Sequence, residues 1–220
     1  MKIVVLFKVV YDDQDIVIGE GGALDFTRAK PVVSEYDLNA LEAAAALAAS
    51  LEGSKVIGIT VGPAWIDDSK LKKNVLARGV DELIVAADDE LAGLDAYATA
   101  AQLAALIADA GPFDLILTGD GSADDYAHQV DVQVACALGL PVVNAACGIA
   151  SDGSSAEIER ALEDVRETVS VALPVVVSVL PCIGIPRIPG MKDILAAGKK
   201  PQNIVAAPVP VVRTLETVSC

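Results

Sequence analysis

Short runs of Val and Ile alternate with longer runs of Ala and Leu through the first two thirds of this chain. A strand covered on both faces reads as a continuous β-branched stretch, whereas the helix covering it spaces its apolar residues at three and four. Lys2–Phe7, Lys55–Val61, Glu82–Ala86 and Asp114–Thr118 read as strands, and Asp37–Leu51, Trp65–Arg78 and Asp95–Ala110 as the helices between them. Asp37 stands where an N-cap belongs, ahead of Leu38, Leu41, Ala45 and Ala48 at helical spacing. Gly79 and Gly111-Pro112 are stop signals for the second and third helices. Strand–helix–strand units cross over right-handed, so this rhythm predicts an α/β fold: an open parallel sheet with helices on both faces.

After Pro141 the rhythm changes. Val142–Ile149, Ala156–Leu162 and Thr168–Leu173 read as strands, with Ser151-Asp152-Gly153-Ser154 as a hairpin turn, which predicts a C-terminal β-hairpin addition. Val175–Leu180 reads as one more buried strand. Pro181, Gly184, Pro186, Pro189 and Gly190 then forbid a long regular element, and a short helix is expected over Met191–Ala197. From Lys199 the tail carries Pro201, Pro208 and Pro210, so it is expected to lie extended. It stays apolar at Ile204, Val205, Val209, Val211 and Val212, and a chain alone has little reason to expose such a tail. The expected division is a domain over 1–182, a loop and short helix over 183–200, and an arm over 201–220.

With 31 acidic against 16 basic residues the formal net charge is −15. That field repels nucleic acid and anionic membranes but leaves room for one nucleotide, which needs only a local nest of N–H donors. Cys136, Cys147, Cys182 and Cys220 are scattered without a C-x-x-C spacing, so no metal site or disulfide framework is expected, and buried inert thiols are. Lys8 interrupts the first apolar run before it could be a signal peptide or a membrane span, and a cytoplasmic protein without membrane insertion is expected.

The strongest local signal is the stretch Gly119 to Val130, which follows one expected strand and is expected to open a helix. Ligands of open α/β sheets bind beyond the carboxyl ends of strands, and a helix N-terminus offers free N–H groups to an anion. A helix capped by Asp124 or Asp125 is the plain alternative. Val61-Gly62-Pro63 and Ser34-Glu35-Tyr36-Asp37 are two further loops expected at the same crevice. His128 is the sole histidine and has no Ser or Cys at a nucleophile spacing, so a phosphate contact or a solvent-facing role fits it, and no catalytic residue is expected. Asp124 and Asp125 are adjacent and make a poor acid–base or metal pair.

Met1–Val10 with Phe7-Lys8, the run Ser34 to Ala44, Val61-Gly62-Pro63, Leu76-Ala77-Arg78-Gly79, and Asp124–Gln129 followed by Leu138-Gly139-Leu140-Pro141 resemble the electron-transfer flavoprotein β subunit. The stretch Pro186 to Pro201 resembles it most specifically, and the likeness is nearest to the Fix-type branch tied to carnitine reduction and nitrogen fixation. The resemblance implies a Rossmann-like domain that binds AMP, or FAD in electron-bifurcating members. It implies a heterodimer whose shared, redox-active FAD sits mainly on a larger α subunit. By position the nucleotide contacts would be Leu6, Ser34, Glu35, Tyr36, Asp37, Val61, Gly119, Gly121, Ser122, Ala123, Asp124, Asp125, Ala127, His128, Gln129 and Val130. The Pro/Gly-rich segment would dock on acyl-CoA dehydrogenase-type flavoenzymes through Arg187 and Met191, where Met stands for the family's usual Leu. The tail would pack on the α subunit.

Three positions depart from the family pattern: Asp131 replaces a Gly, Glu159-Arg160-Ala161 replaces Glu-Arg-Glu, and Ser34-Glu35 replaces Asn-Pro. The resemblance implies an electron-carrier subunit rather than a self-sufficient enzyme. The alternative is a bifurcating subunit whose FAD accepts hydride from NADH. A stand-alone adenine-nucleotide-binding protein of the universal-stress type is the alternative from another class.

Overall fold

The computed structural model describes residues 1–215. Cys220 and the last five residues of the expected arm lie outside the described residues. β1 (Lys2–Leu6), β2 (Val9–Tyr11), β3 (Val17–Ile18), β4 (Leu24–Asp25) and β5 (Pro31–Val33) precede α1 (Glu35–Ser50). β6 (Lys55–Gly62), α2 (Ser69–Ala77), β7 (Glu82–Ala87), α3 (Ala96–Asp109), β8 (Leu115–Gly119) and α4 (Val130–Leu138) follow. β9 (Val142–Ser151), β10 (Ser155–Ala161), β11 (Arg166–Ala172), β12 (Val175–Val179), α5 (Met191–Ala197) and β13 (Gln202–Val205) complete the chain.

One nine-stranded sheet runs β11-β10-β9-β12-β8-β1-β6-β7-β13. All its pairings are parallel except β9 with β10 and β10 with β11, which form the expected hairpin addition. The architecture is the expected Rossmann-like α/β one. Side chains alternate across the central strands: Ile3, Val5, Leu115 and Leu117 pack under Leu41, Ala44 and Leu76, while Val4, Ile116 and Val176 pack under Leu103, Ile107 and Val134. All of these are nearly or fully buried, each worth roughly 1.5–3 kcal/mol over an exposed position for the larger side chains. No helix among the described residues is long and apolar enough to cross a membrane.

Several local expectations change. Asp37 is not an N-cap: α1 starts at Glu35, and Asp37 is buried in its first turn. The second helix begins four residues later than Trp65, because the Asp68 carboxylate accepts the N–H groups of Lys70 and Leu71 and caps it there. Trp65 instead lies in a separate single turn, Ala64–Ile66. The small ribbons β2–β5 and β3–β4 were invisible in the sequence. The thiols are not a buried set: Cys136 and Cys182 are exposed and Cys147 is half-buried.

The tail is extended, as expected, and its first part is a strand. β13 adds to the edge of β7, pairing Gln202 with Leu83 through Val205 with Ala86. Further on, the Gln102 amide donates to the Val209 carbonyl at 2.8 Å and accepts the Val209 N–H at 3.2 Å. Asp95 caps α3 through the Ala98 N–H and also accepts the N–H groups of Thr214 and Leu215. Those donors, Ala98 first, hold its carboxyl down at about 2. Ile204, Val212 and Leu215 remain exposed on the arm.

Candidate functional site

A cavity of about 620 Å³ opens at the carboxyl rim of the sheet. It sits where β1 and β8 are neighbours, and the chain leaves them toward opposite faces, into α1 after β1 and into α4 after β8. The loops diverge there and leave a crevice, the usual ligand position in an open α/β sheet. Its volume is within the range of small-molecule cofactor sites.

Twelve of the expected residues line this cavity. Leu6 and Val61 supply its floor, Asp37 one corner, and Gly119, Gly121 and Ser122 the rim of β8. Asp124, Asp125, Ala127, His128, Gln129 and Val130 form the wall leading into α4. Ser34, Glu35, Tyr36 and Ala123 stand behind that wall rather than on it. The Ser34 hydroxyl is buried and accepts the Ala123 N–H at 3.2 Å, Tyr36 packs on Tyr126, and Glu35 points to solvent.

Asp37 joins the two strands that bound the crevice. Its Oδ2 accepts the Lys8 N–H at 2.7 Å and its Oδ1 accepts the Gly119 N–H at 3.0 Å, so one carboxyl ties the end of β1 to the end of β8. Burial pushes this carboxyl up to about 7, against the two N–H donors and the Lys8 charge. Only glycine fits at Gly119, because a Cβ there would sit 2.8 Å from the Tyr36 carbonyl carbon and 2.7 Å from Asp37 Oδ1.

The loop from Asp120 to Gln129 is a folded cradle rather than the start of a helix. Neither Asp124 nor Asp125 caps α4; the helix begins at Val130, with Gln129 in the cap place and no side chain on its first N–H groups. Asp124 instead accepts the Ser122 hydroxyl at 2.7 Å and the Lys8 ammonium at 2.8 Å. Tyr126 and His128 both hold left-handed backbone, at φ of 48° and 53°, a conformation costly outside glycine. The Tyr126 ring contacts the rings of Tyr36 and His128, and its hydroxyl donates to Asp120 at 3.0 Å, which holds that shape.

Several wall residues stand outside the expected contacts. Lys8 is a cation on the wall, and Asp120 and Asp131 add carboxylates. Tyr11 and Trp65 stack with ring centres 4.5 Å apart, and Phe26 tilts against Tyr11 at 5.2 Å, forming an aromatic shelf at the cavity mouth. The shelf is assembled from β2, the turn after β6 and the loop before β5, so no local sequence pattern could have found it. A phosphate fits the α4 end, where uncapped N–H groups and the positive end of the helix dipole meet the cavity. Carboxylates outnumber cations along the wall, so main-chain donors and Lys8 would have to hold it.

On the outer surface, Ile185, Ile188, Met191 and Leu195 are largely exposed on and beside α5. Arg187 turns inward: its guanidinium makes two bonds to Glu42 of α1, at 2.7 and 2.9 Å, and its N–H a third at 2.9 Å. That guanidinium holds the Glu42 carboxyl below its ordinary range. The pair fixes the stretch between Gly184 and Gly190 on α1. Glu42→Ala is expected to speed tryptic cleavage after Arg187 severalfold while lowering global stability by about 0–1 kcal/mol, as for partly exposed pairs. Unchanged cleavage would show that the ion pair does not restrain this stretch.

The parallel sheet carries a cofactor-sized crevice at its switch point, with the N-terminus of α4 on its wall and an exposed apolar loop on the outer surface. The model of the electron transfer flavoprotein domain matches residues 23–210, which is most of the sheet, the three loops expected at the crevice and the Pro/Gly-rich segment, and the chain belongs to that family.

Proposed function

We propose that this chain is the β subunit of an electron-transfer flavoprotein, of the Fix-type branch, and that its cavity holds an adenine nucleotide with the phosphate on the N-terminus of α4. The observation that carries this reading is that, among the described residues, no side chain caps α4 where Gln129, Val130 and Asp131 line the cavity. Capping is worth about 1 kcal/mol to a helix, and a ligand phosphate supplies the same hydrogen bonds from outside. The chain's residues bind and orient; the redox chemistry belongs to the FAD that the complex shares with an α subunit.

The exposed residues Ile185, Ile188, Met191 and Leu195 support docking on an acyl-CoA dehydrogenase-type flavoenzyme, with Met191 as the adaptable knob and Arg187 as the residue that positions the loop. Ile204, Val212 and Leu215 on the outer side of the arm support its packing on the α subunit. The aromatic shelf of Tyr11 and Trp65 favours a second reading, in which a dinucleotide reaches from α4 to the shelf, as FAD would in a bifurcating, NADH-oxidising member.

Denaturing the co-purified heterodimer and identifying what it releases separates these readings. One FAD and one AMP per complex fits the simple carrier, and two FAD fits the bifurcating subunit. A complex with FAD but nothing attributable to this chain would overturn nucleotide binding at α4.

Asp131 tests the phosphate position. Its carboxylate stands in the first turn of α4 on the cavity wall and opposes a phosphate by up to about 1 kcal/mol. Asp131→Asn is expected to tighten AMP binding by up to about fivefold in titration calorimetry. Weaker or unchanged binding would place the phosphate elsewhere.

A further inference from the structure

Among the described residues of the arm, 202–215, none lines the cavity, yet the arm is bonded along a segment that does. That segment runs from Asp88 to Ala96, between β7 and α3, and gives Leu91, Ala92, Gly93, Leu94 and Ala96 to the cavity wall. Its first half is tied to the end of β6. The Asp88 N–H donates to the Gly62 carbonyl at 3.0 Å, and Asp89 Oδ1 accepts the Ala64 N–H at 3.1 Å. Its second half turns through Gly93 at φ of 63°, with open space where a Cβ would stand.

The arm supplies the holds on that second half. The Ala207 N–H donates to Asp88 Oδ2 at 3.3 Å, and Ala207 and Val211 pack on the cluster that contains Leu91 and Leu103. Arg213 Nη2 then donates to two carbonyls, of Glu90 at 3.0 Å and of Ala92 at 2.8 Å. Asp95 divides its carboxylate between two duties. Oδ1 caps α3 through the Ala98 N–H, while Oδ2 accepts the N–H groups of Thr214 and Leu215 and the Thr214 hydroxyl. Both sides of the turn at Gly93 are therefore fastened to Arg213 and Thr214.

We propose that Arg213 and Thr214 are positioning residues for the cavity, which strap the Ala92–Asp95 turn and so set how tightly the cavity holds its ligand without touching it. A loop with few buried contacts and exposed hydrogen bonds opens at low cost. Where such a loop is a cavity wall, binding must bear the cost of ordering it, and affinity falls by the fraction of molecules with the wall in place. The strap orders the wall beforehand. Its hold on the turn is independent of the function proposed above; its effect on an adenine nucleotide rests on that reading.

The test compares the full chain carrying Arg213→Ala and Thr214→Ala with the parent. Amide hydrogen exchange, read by mass spectrometry on peptides, should speed severalfold over residues 89–95 and stay at the parent's rate in α1. Affinity for AMP, or for FAD if the parent takes that instead, should fall about fivefold or more in titration calorimetry. Unchanged exchange over 89–95 would overturn the strap. Exchange speeded equally in α1 would overturn it too, since the arm would then support the fold at large. Faster exchange over 89–95 with unchanged affinity would overturn the positioning role. A parent that takes up neither AMP nor FAD would sink the nucleotide reading, while exchange would still decide for or against the strap.

Discussion

Gly119→Ala is expected to lower the unfolding free energy by about 1–3 kcal/mol, the cost of forcing a methyl into packed surroundings, and, on the function proposed above, to weaken nucleotide retention with it. The new Cβ would stand 2.8 Å from the Tyr36 carbonyl carbon and 2.9 Å from the Tyr36 Cβ, neither of which can swing aside. Relief requires the first turn of α1 to move off the end of β8. That movement stretches the bond from the Gly119 N–H to Asp37 and opens the corner of the cavity. Gly184→Ala is the control, since its nearest neighbour would be Glu42 Cγ at 3.8 Å. Urea unfolding followed by circular dichroism should show a lower midpoint for Gly119→Ala and almost none of that shift for Gly184→Ala. Equal midpoints for Gly119→Ala and the parent would mean that α1 is not held against β8.

Asp37→Asn is expected to cost about 1–3 kcal/mol near pH 5, because an amide nitrogen cannot accept and one buried N–H, of Lys8 or Gly119, loses its partner. The cost depends on pH. Burial raises the Asp37 carboxyl from 3.8 in the unfolded chain to about 7 in the folded one, so the folded state holds its proton more tightly. The stability that this proton contributes is complete below the unfolded value and drains away as pH climbs through about 7. The parent's advantage over Asp37→Asn should therefore shrink, by on the order of a few kcal/mol, between pH 5 and pH 8. Glu42 runs the other way: its lowered carboxyl adds stability above its unfolded value and loses it as pH falls. Comparing the two Asp37 forms at each pH cancels that background. An advantage that grows with pH would mean the carboxylate is charged inside the fold and its two N–H donors outweigh burial.

The central strands, α1, α3, the hairpin and α5 were all legible, because each carries its own period and its own stop signal. α2 was legible only in part: the apolar spacing from Trp65 was real, but Asp68 is the better cap and set the true start. Of the crevice, the residues on strand ends and in the Gly119–Val130 loop could be named, since the topology obliges them to meet. Lys8 and the Tyr11–Trp65 shelf could not, because their meeting depends on loops that only packing brings together. Asp37 was misread as a cap for the same reason: its partners, Lys8 and Gly119, are far away in the chain. The thiols were misread as buried because scattered cysteines say nothing of which surface they reach.

By itself the order of residues determined the parallel sheet, the faces its helices cover and the rim at which the crevice opens. Those follow from periodicity, chirality and the short reach of connecting loops, all local properties. Tertiary structure alone decided that Asp37 latches two strand ends, that α4 starts uncapped, and that the tail becomes an edge strand on β7. Each of these depends on which distant group supplies a hydrogen-bond partner, and a buried donor or acceptor takes the one that packing leaves beside it.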